Sequence, residues 1–189
     1  WKTVVFTSAI SQPPLIAIKP DTDNYCSGSI GYTMSGSNYT GFVVDSEDTP
    51  VTFSWQAFVP RTDLSSETYG LRVYNASNVL CFDSGYTPMS IITVNSANPT
   101  YNAVQTLTHT SNANAYHIVT PMGIIREIGW WNGSYSTAKY YVSMIKKLSD
   151  TQISFGGITN GGFTIPFNTS SIKGYWPSTW TILTVKKAF

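Results

Sequence analysis

The sequence predicts an all-β protein, a β-sandwich of jelly-roll-like architecture, and three observations support this. Only 11% of the 189 residues are charged, whereas 14% are aromatic. Ser and Thr number 23 and 24, and β-branched and aromatic residues suit a half-buried pleat better than Lys, Glu or Ala. Period-two alternation and short apolar runs, separated by Gly, Pro, Asn and Ser, recur along the chain without a capped helical stripe.

The strands are predicted from these short runs, and each has an ordinary strand length. In the first half they are residues 3–7, 15–19, 27–34, 41–46, 51–59, 69–75, 79–84 and 89–94. In the second half they are residues 115–119, 122–131, 139–147, 152–156, 163–167 and 180–185, with 104–108 as a further candidate. Residues 148–151 are predicted to form the turn of a hairpin.

The chain length favours a single β-rich domain over residues 1–189. Residues 95–114 contain five Asn and are the best candidate for a boundary between two packed β lobes. Gly156-Gly157 and Gly161-Gly162 flank residues 158–160. Since Gly reaches positive φ freely, this spacing predicts a tight exposed loop.

The segment from Tyr69 to Ser84 reads as a β-hairpin. Apolar and polar residues alternate before Asn75, and the return run of residues 79–82 is wholly apolar, which is typical of a buried strand. The intervening Asn-Ala-Ser-Asn suits a type I turn closed by a left-handed residue, a conformation that Asn78 tolerates. Gly70, Asn75 and Asn78 are therefore the predicted structural turn residues.

The same segment resembles one found in structural proteins of tailed-bacteriophage tails and tail tips. There a Gly-Leu pair, alternating residues, Asn, a small-residue turn with Gly, and an apolar strand ending in Phe-Asp-Ser recur; here Asn78 replaces the turn Gly. Residues 6–10, the Pro-Pro-Leu-Ile at 13–16 and residues 39–42 resemble the preceding part of those proteins. The resemblance covers the first half of the chain and implies a β-sandwich, a role in a phage tail and no catalytic residue.

Composition argues against several classes of partner. The net charge of +1 provides little attraction for phosphates, and basic residues occur at most two in a row, so no nucleic-acid partner is expected. The longest apolar stretches, residues 15–18 and 122–125, are far shorter than a membrane helix. From Trp1 onward we expect no secretion signal, or one already removed. Cys26 and Cys81 are expected to be buried free thiols, with a disulfide as the less favoured alternative.

The supply of catalytic and metal-ligating groups is small. His109 and His117 are the only histidines, and neither lies beside a Cys or in a Gly-x-Ser-x-Gly motif. Without a Cys-x-x-Cys pair or suitable His spacing, no metal site and no cofactor are predicted. Glu127, inside an apolar run beside Arg126, is predicted to lie at a solvated strand edge or in a salt pair. A glycan-degrading enzyme is the weakest of the functional alternatives.

Aromatic residues concentrate in the second half, and most are expected to fill the core. Adjacent Trp130-Trp131 is different, because on a strand the two rings point to opposite faces, so at least one meets a partner, a second sheet or a ligand. Aromatic faces beside amides and hydroxyls suit both sugar rings and protein partners. The predicted binding residues for a partner or glycan are Trp130, Trp131, Asn132, Tyr135 and Trp176.

The small supply of catalytic groups favours a non-catalytic protein, and the resemblance of the first half implies a virion protein of a tailed phage. Such a protein would be made in the host cytoplasm and located in the tail. In that role it would contact other tail proteins and repeat as a symmetric homo-oligomer around the tail axis. The alternative is a lectin-like adhesin at a tail fibre or tip, with a bacterial surface glycan bound near residues 130–136 or 156–162.

Overall fold

The computed structural model describes residues 2–21, 24–46, 51–60, 63–98, 103–120, 124–131, 135–166 and 179–187, with 120, 124–131, 135–141, 158–166 and 187 described by their backbone. It has fifteen strands within these residues. They are β1 Lys2–Ile10, β2 Leu15–Pro20, β3 Cys26–Ser27, β4 Gly31–Ser35, β5 Asn38–Val44, β6 Phe53–Phe58, β7 Arg72–Tyr74, β8 Leu80–Asp83, β9 Met89–Ala97, β10 Val104–Thr108, β11 Tyr116–Thr120, β12 Ile124–Trp131, β13 Tyr135–Lys147, β14 Gln152–Pro166 and β15 Trp180–Lys187.

The strands form four antiparallel sheets. Sheet A has the order β1-β5-β4, and sheet B has the order β6-β2-β11-β15-β9. Sheet C has the order β10-β14-β13-β12, with the short β3 also paired to β13, and sheet D is the β7-β8 hairpin. The described residues contain strands and turns but no helix, which confirms the predicted all-β class.

The core lies between sheet B and the two sheets that cover it, as in a β-sandwich. Against sheet C, sheet B contributes the fully buried Trp180 and Ile182, which pack with Ile145, Ile153 and Phe155 of β13 and β14. Sheet A covers the neighbouring part of sheet B through a second buried cluster. That cluster contains Phe6, Ile16, Ile18, Cys26, Phe42 and Val44.

The strand predicted at residues 27–34 is present at residue 27 and at 31–34, but the prediction is wrong at 28–30, where the chain passes between two sheets. Cys26 and Ser27 pair with β13 of sheet C, whereas Gly31–Ser35 pairs with β5 of sheet A. At the crossing, Ser27 Oγ donates to the Gly28 carbonyl and also accepts from Asp45 N, both at 2.7 Å. Since the two pairing partners lie far away in the sequence, the local pattern alone does not reveal the crossing.

The β13-β14 hairpin confirms one prediction and corrects another. Its turn lies at residues 148–151, as predicted, with Leu148 N donating to Gln152 O at 3.0 Å. The loop predicted at 158–160 is absent, because β14 runs unbroken through it. Pairing shifts between Lys139↔Gly162 and Tyr141↔Thr159, so two residues of β14 face one of β13. The glycines therefore accommodate a β-bulge inside a strand.

Residues 95–114, the predicted connection, contain structure of their own. β9 extends to Ala97, and the candidate strand at 104–108 is confirmed as β10, which pairs with β14 of sheet C. Asn95 Nδ2 donates to Thr108 O at 3.1 Å, which joins β9 of sheet B to the end of β10. The interval thus carries the chain from one sheet of the sandwich to the other; the lobe boundary itself stays a prediction.

Candidate interaction surface

The β7-β8 hairpin, residues 69–84, is where the sequence motif and an exposed apolar surface coincide. The predicted hairpin is present, with Val73 paired to Phe82 and Arg72 to Asp83. Among the described strands it pairs with no other sheet. The prediction of a buried return strand is wrong: Leu80 is buried, but Cys81 and Phe82 are exposed. Apart from β7, no described strand pairs with β8, and its Cys81 and Phe82 side chains face solvent.

The tip of the hairpin is closed by two asparagines. Asn78 has φ 60°, the left-handed conformation predicted from its position. Asn78 N donates to Asn75 O, and Asn75 N donates to Val79 O, both at 3.0 Å. The Asn75 side chain adds two bonds, because its Oδ1 accepts from Ser77 N and Val79 N at 2.9 Å. The turn thus satisfies four of its own backbone N–H groups.

The open end of the hairpin is closed around Ser84. Leu71 N donates to Ser84 Oγ at 2.9 Å, and Ser84 N donates to Leu71 O at 3.0 Å. Gly70 has φ 142°, and a Cβ added there would collide with Ser84 Oγ. A glycine is therefore needed at residue 70 both for its backbone conformation and for this close approach.

Asp83 is the main polar anchor of the hairpin. Its carboxylate accepts from Ser65 N at 3.0 Å, Ser65 Oγ at 2.9 Å, Gly85 N at 2.9 Å and Arg72 Nε at 3.1 Å. The backbone hydrogen bond from Ser65, with those of Gly85, the Ser65 hydroxyl and Arg72, holds the pKa of Asp83 well below its usual range. Arg72 Nη2 also donates to Glu67 O at 2.9 Å. The carboxylate thus ties residues 65–67 to both strands.

One face of this polar framework presents apolar side chains to solvent. Val73 and Phe82 are opposite each other across the two strands and therefore share a face, and Leu71 follows on that face two residues away. Their exposed fractions are 61% for Leu71, 45% for Val73 and 40% for Phe82. We call these three residues the hairpin patch. Beside it Tyr69 is 92% exposed, so the apolar surface extends past the strand.

The two cysteines are free, and they differ in environment. Cys26 is buried as predicted, and burial, with the nearby Asp45 carboxylate, raises the pKa of its thiol to about 12. Cys81 is exposed, contrary to the prediction. It is the residue of β8 left without a cross-strand partner where the pairing shifts, between Phe82 and Leu80. It also lines a small cavity of about 130 Å³ with Tyr86 and Pro88.

The structure brings three of the five predicted binding residues to one end of sheet C. Trp130 is in register with Ser136, and Trp131 with Tyr135, where β12 and β13 approach residues 132–134. Asn132 and Trp176 lie outside the described residues. In the sheet order, β12 is the last strand of sheet C. The predicted set is therefore placed in part at the end of an edge hairpin.

The two histidines of the sequence lie next to each other in the structure. The ring centroids of His109 and His117 are 5.3 Å apart, and both side chains are buried. Burial, with smaller effects of His109 and Lys147, lowers the pKa of His117 to about 3. In the part of the chain that the structure describes, no three ligating side chains meet as a metal site would need. Glu127, on edge strand β12, is in register with Lys139.

Sequence reasoning missed the residues that organise the hairpin. No pattern marks Ser65 and Arg72 as partners of Asp83, since Ser65 is eighteen residues away from it and Arg72 is eleven. The Phe-Asp-Ser ending was the available signal, because an Asp followed two residues later by Gly often accepts from that Gly N–H, as Asp83 does from Gly85.

Comparison with known proteins adds no relative. No family model, no curated protein and no solved structure matches the chain. Within the described ranges there is also no helix of the length and apolarity that crossing a membrane requires.

Proposed function

We propose that this chain is a structural component of a tailed-bacteriophage virion, a tail or tail-tip protein that makes assembly contacts through its hairpin patch. The observation that carries the proposal is the hairpin itself. It bears the motif that resembles tail proteins, and three neighbouring apolar side chains on it face solvent. In this role the chain holds neighbouring tail proteins in a fixed arrangement and catalyses no reaction.

The physical support lies in preorganisation. A flexible loop loses entropy when it docks, whereas the hairpin patch is held in place by the Asn75 turn, the Ser84 closure and the Asp83 carboxylate. Exposed apolar groups on a rigid frame are what a protein partner buries at the centre of an interface. With a net charge of +1, contact area rather than long-range attraction would determine partner choice.

The test is to replace the hairpin patch in the complete phage. We expect a Val73→Ser, Phe82→Ser chain to fold but to be missing from purified particles, or to leave them without complete tails. Val94→Ser is the matched control, since Val94 is 58% exposed on β9 and lies outside the hairpin. An image of the intact particle with the labelled chain outside the tail would contradict the proposal, as would normal tails from the double variant.

A second candidate is a host-surface adhesin, and one observation favours it. The register sets Trp131 opposite Tyr135 at the end of the β12-β13 hairpin, on an edge of sheet C. Aromatic pairs at strand ends are suited to sugar rings. Saturable binding of the isolated chain to a glycan array, lost in Trp131→Ala, would favour the adhesin. No binding would favour the assembly role.

A further inference from the structure

The two buried histidines form a contact between two sheets of the sandwich. His109 directly follows β10, the first strand in the order of sheet C, whereas His117 lies on β11 in the middle of sheet B. Their ring centroids are 5.3 Å apart, with the ring planes inclined by 58°. Both side chains are buried. The contact therefore connects sheet C to sheet B at the point where β10 leads into β11.

Each ring also has a hydrogen-bond partner at Nδ1. His109 Nδ1 lies 2.9 Å from Thr110 O, and because a carbonyl oxygen only accepts, this nitrogen carries a proton and donates the bond. His117 Nδ1 lies 3.2 Å from Thr184 Oγ1 of β15, and Thr184 is fully buried. A positive charge on His117 would thus be surrounded by protein groups instead of water, which is an unfavourable setting.

Charged groups reach this end of the interface from several elements. Lys147 ends β13 and, together with His109, disfavours a positive charge on His117. Asp150 in the following turn pairs with Lys147, with Nζ and Oδ1 2.8 Å apart. Other ionisable side chains near the ends of the adjoining strands include Cys26 of β3, Tyr116 of β11, Lys19 of β2, Lys146 of β13 and Lys186 of β15. Among the groups named, cations outnumber anions.

Of these groups, only the histidines change charge between about pH 6.5 and 4.5, because lysine and tyrosine side chains keep their protons in this range. The hydrogen bond from Lys147 lowers the pKa of Asp150, which therefore stays ionised. Burial raises the pKa of the Cys26 thiol to about 12, so it stays neutral. Burial lowers the pKa of His117 to about 3, whereas an exposed imidazole binds its proton at about pH 6.5. Acid in this range therefore favours any state in which His117 becomes exposed.

The β10-β11 connection, residues 109–115, covers His117 through the ring of His109 and lies outside the strands. It is tied to the β13-β14 turn by His109 N, which donates to Thr151 O at 2.9 Å, and by Asn112 N, which donates to Asp150 O at 3.0 Å. Strand β15 is instead paired along both sides, with β11 and with β9. Local opening of the connection should therefore cost less free energy than separation of the strands of sheet B.

We propose that the contact between His109 and His117 is an acid-sensitive latch. Below about pH 6, protonation of His117 promotes release of the β10-β11 connection from sheet B, while the sheets themselves stay folded. Release exposes the imidazole to water, where its charge is solvated and lies farther from Lys147. The latch is a local device, distinct from unfolding of the whole chain. It does not involve the hairpin patch, so its failure would leave the proposed function unchanged.

Native-state hydrogen exchange of the purified chain at pH 7, 6 and 5 tests the latch. The protection factors of the His109 and Asn112 amides should fall about 25-fold from pH 7 to pH 5, because an exposed imidazole gains its proton over this range. At each pH they should also stay at least about tenfold below those of Ile182 and Leu183 on the doubly paired β15. Equal protection of both pairs would mean that the connection opens only by global unfolding, and lower protection without a pH dependence would mean that opening leaves His117 buried. Either result overturns the inference.

Two variants identify the responsible ring. His117→Gln keeps a hydrogen-bonding group for Thr184 but cannot gain a proton, so protection of the connection should no longer depend on pH over the same range. His109→Gln is the matched control, because it changes the other ring of the contact and leaves His117 near Lys147, so the pH dependence should persist. A pH dependence that is lost in His109→Gln and kept in His117→Gln would overturn the assignment. If His117→Gln does not fold, the pH profiles of the parent chain and of His109→Gln still decide whether the latch exists.

Discussion

The interface between sheets B and C and the β7-β8 hairpin can be compared directly, because each contains aromatic and aliphatic side chains in antiparallel strands. In the interface these side chains are buried, with Phe155 and Trp180 in edge contact at 5.8 Å. In the hairpin they are exposed, and the backbone is held by Asn75, Asp83 and Ser84 instead. Apolar residues thus stabilise one region and are available for contact in the other.

The largest expected difference between the regions is in the cost of removing a phenyl ring. Phe155→Ala removes a fully buried ring and leaves a cavity beside Trp180, so the free energy of unfolding should fall by about 3–5 kcal/mol. Phe82→Ala, its matched control, removes a ring that is already 40% exposed and should cost about 1 kcal/mol or less. Urea unfolding measures both. Equal losses would mean that the hairpin patch belongs to the core.

The second expected effect is a pH dependence of the free energy of unfolding, and it arises from the buried His117. His117 has a pKa of about 3 in the folded chain, below its value of about 6.5 in an unfolded one. The unfolded state therefore binds the extra proton first as pH falls. The contribution of the neutral His117 to the free energy of unfolding is fully present above pH 6.5. Below that pH it decreases by about 1.4 kcal/mol per pH unit.

His117→Gln should remove that slope between about pH 6.5 and 4.5, a window that lies above the carboxyl pKa values of an unfolded chain. Urea unfolding at pH 7, 6 and 5 measures it in both chains. The lowered pKa values of Asp83 and Asp150 also make acid destabilising, but only as pH falls through about 4 and below. An unchanged slope in the variant would show that the imidazole is not buried uncharged.

A third prediction tests whether the hairpin opens separately from the core. Asp83→Asn removes the charge that Ser65, Gly85 and Arg72 contact, so amides of the hairpin should exchange at least about tenfold faster. Amides of the sheet B and C interface should be unaffected. Asp150→Asn is the control, since Asp150 lies in the β13-β14 turn and pairs with Lys147. Faster exchange throughout the chain would mean that the two regions unfold together.

The parts of the fold that could be predicted from the sequence are the local ones. The turn at 148–151 and the left-handed Asn78 depend on residues within a few positions of each other, and the sequence predicts both. The exposure of Phe82 was not, because an apolar run looks the same whether or not a second sheet covers it. Period-two patterns identify strands, but the sheet that each strand joins is decided by distant partners.

The remaining errors have the same cause, because they also concern contacts between residues that are distant in the sequence. The break at residues 28–30 arises because β3 and β4 pair with different sheets. The glycines at 156–162 were expected to interrupt a strand, whereas pairing along thirteen-residue β13 carries β14 through them with one bulge. Contact between His109 and His117 also depends on the fold, since the spacing of the two residues gave no reason to expect it.

The smallest expected effect concerns the turn residue at which this chain departs from the phage pattern. Asn78 holds φ 60°, a conformation in which a Cβ costs about 1–2 kcal/mol for most residues and less for Asn. Asn78→Gly should therefore change exchange of the Asn75 and Asn78 amides by no more than about twofold, while Asn78→Ala should speed it roughly fivefold, as about 1 kcal/mol implies. Gly36, also left-handed at φ 59°, provides the control, because Gly36→Ala should disturb the β4-β5 turn and leave the hairpin amides unchanged. If Asn78→Gly loosened the hairpin as much as Asn78→Ala, the Asn78 side chain rather than its backbone conformation would hold the turn, and the Gly of the phage segment would not be an equivalent residue.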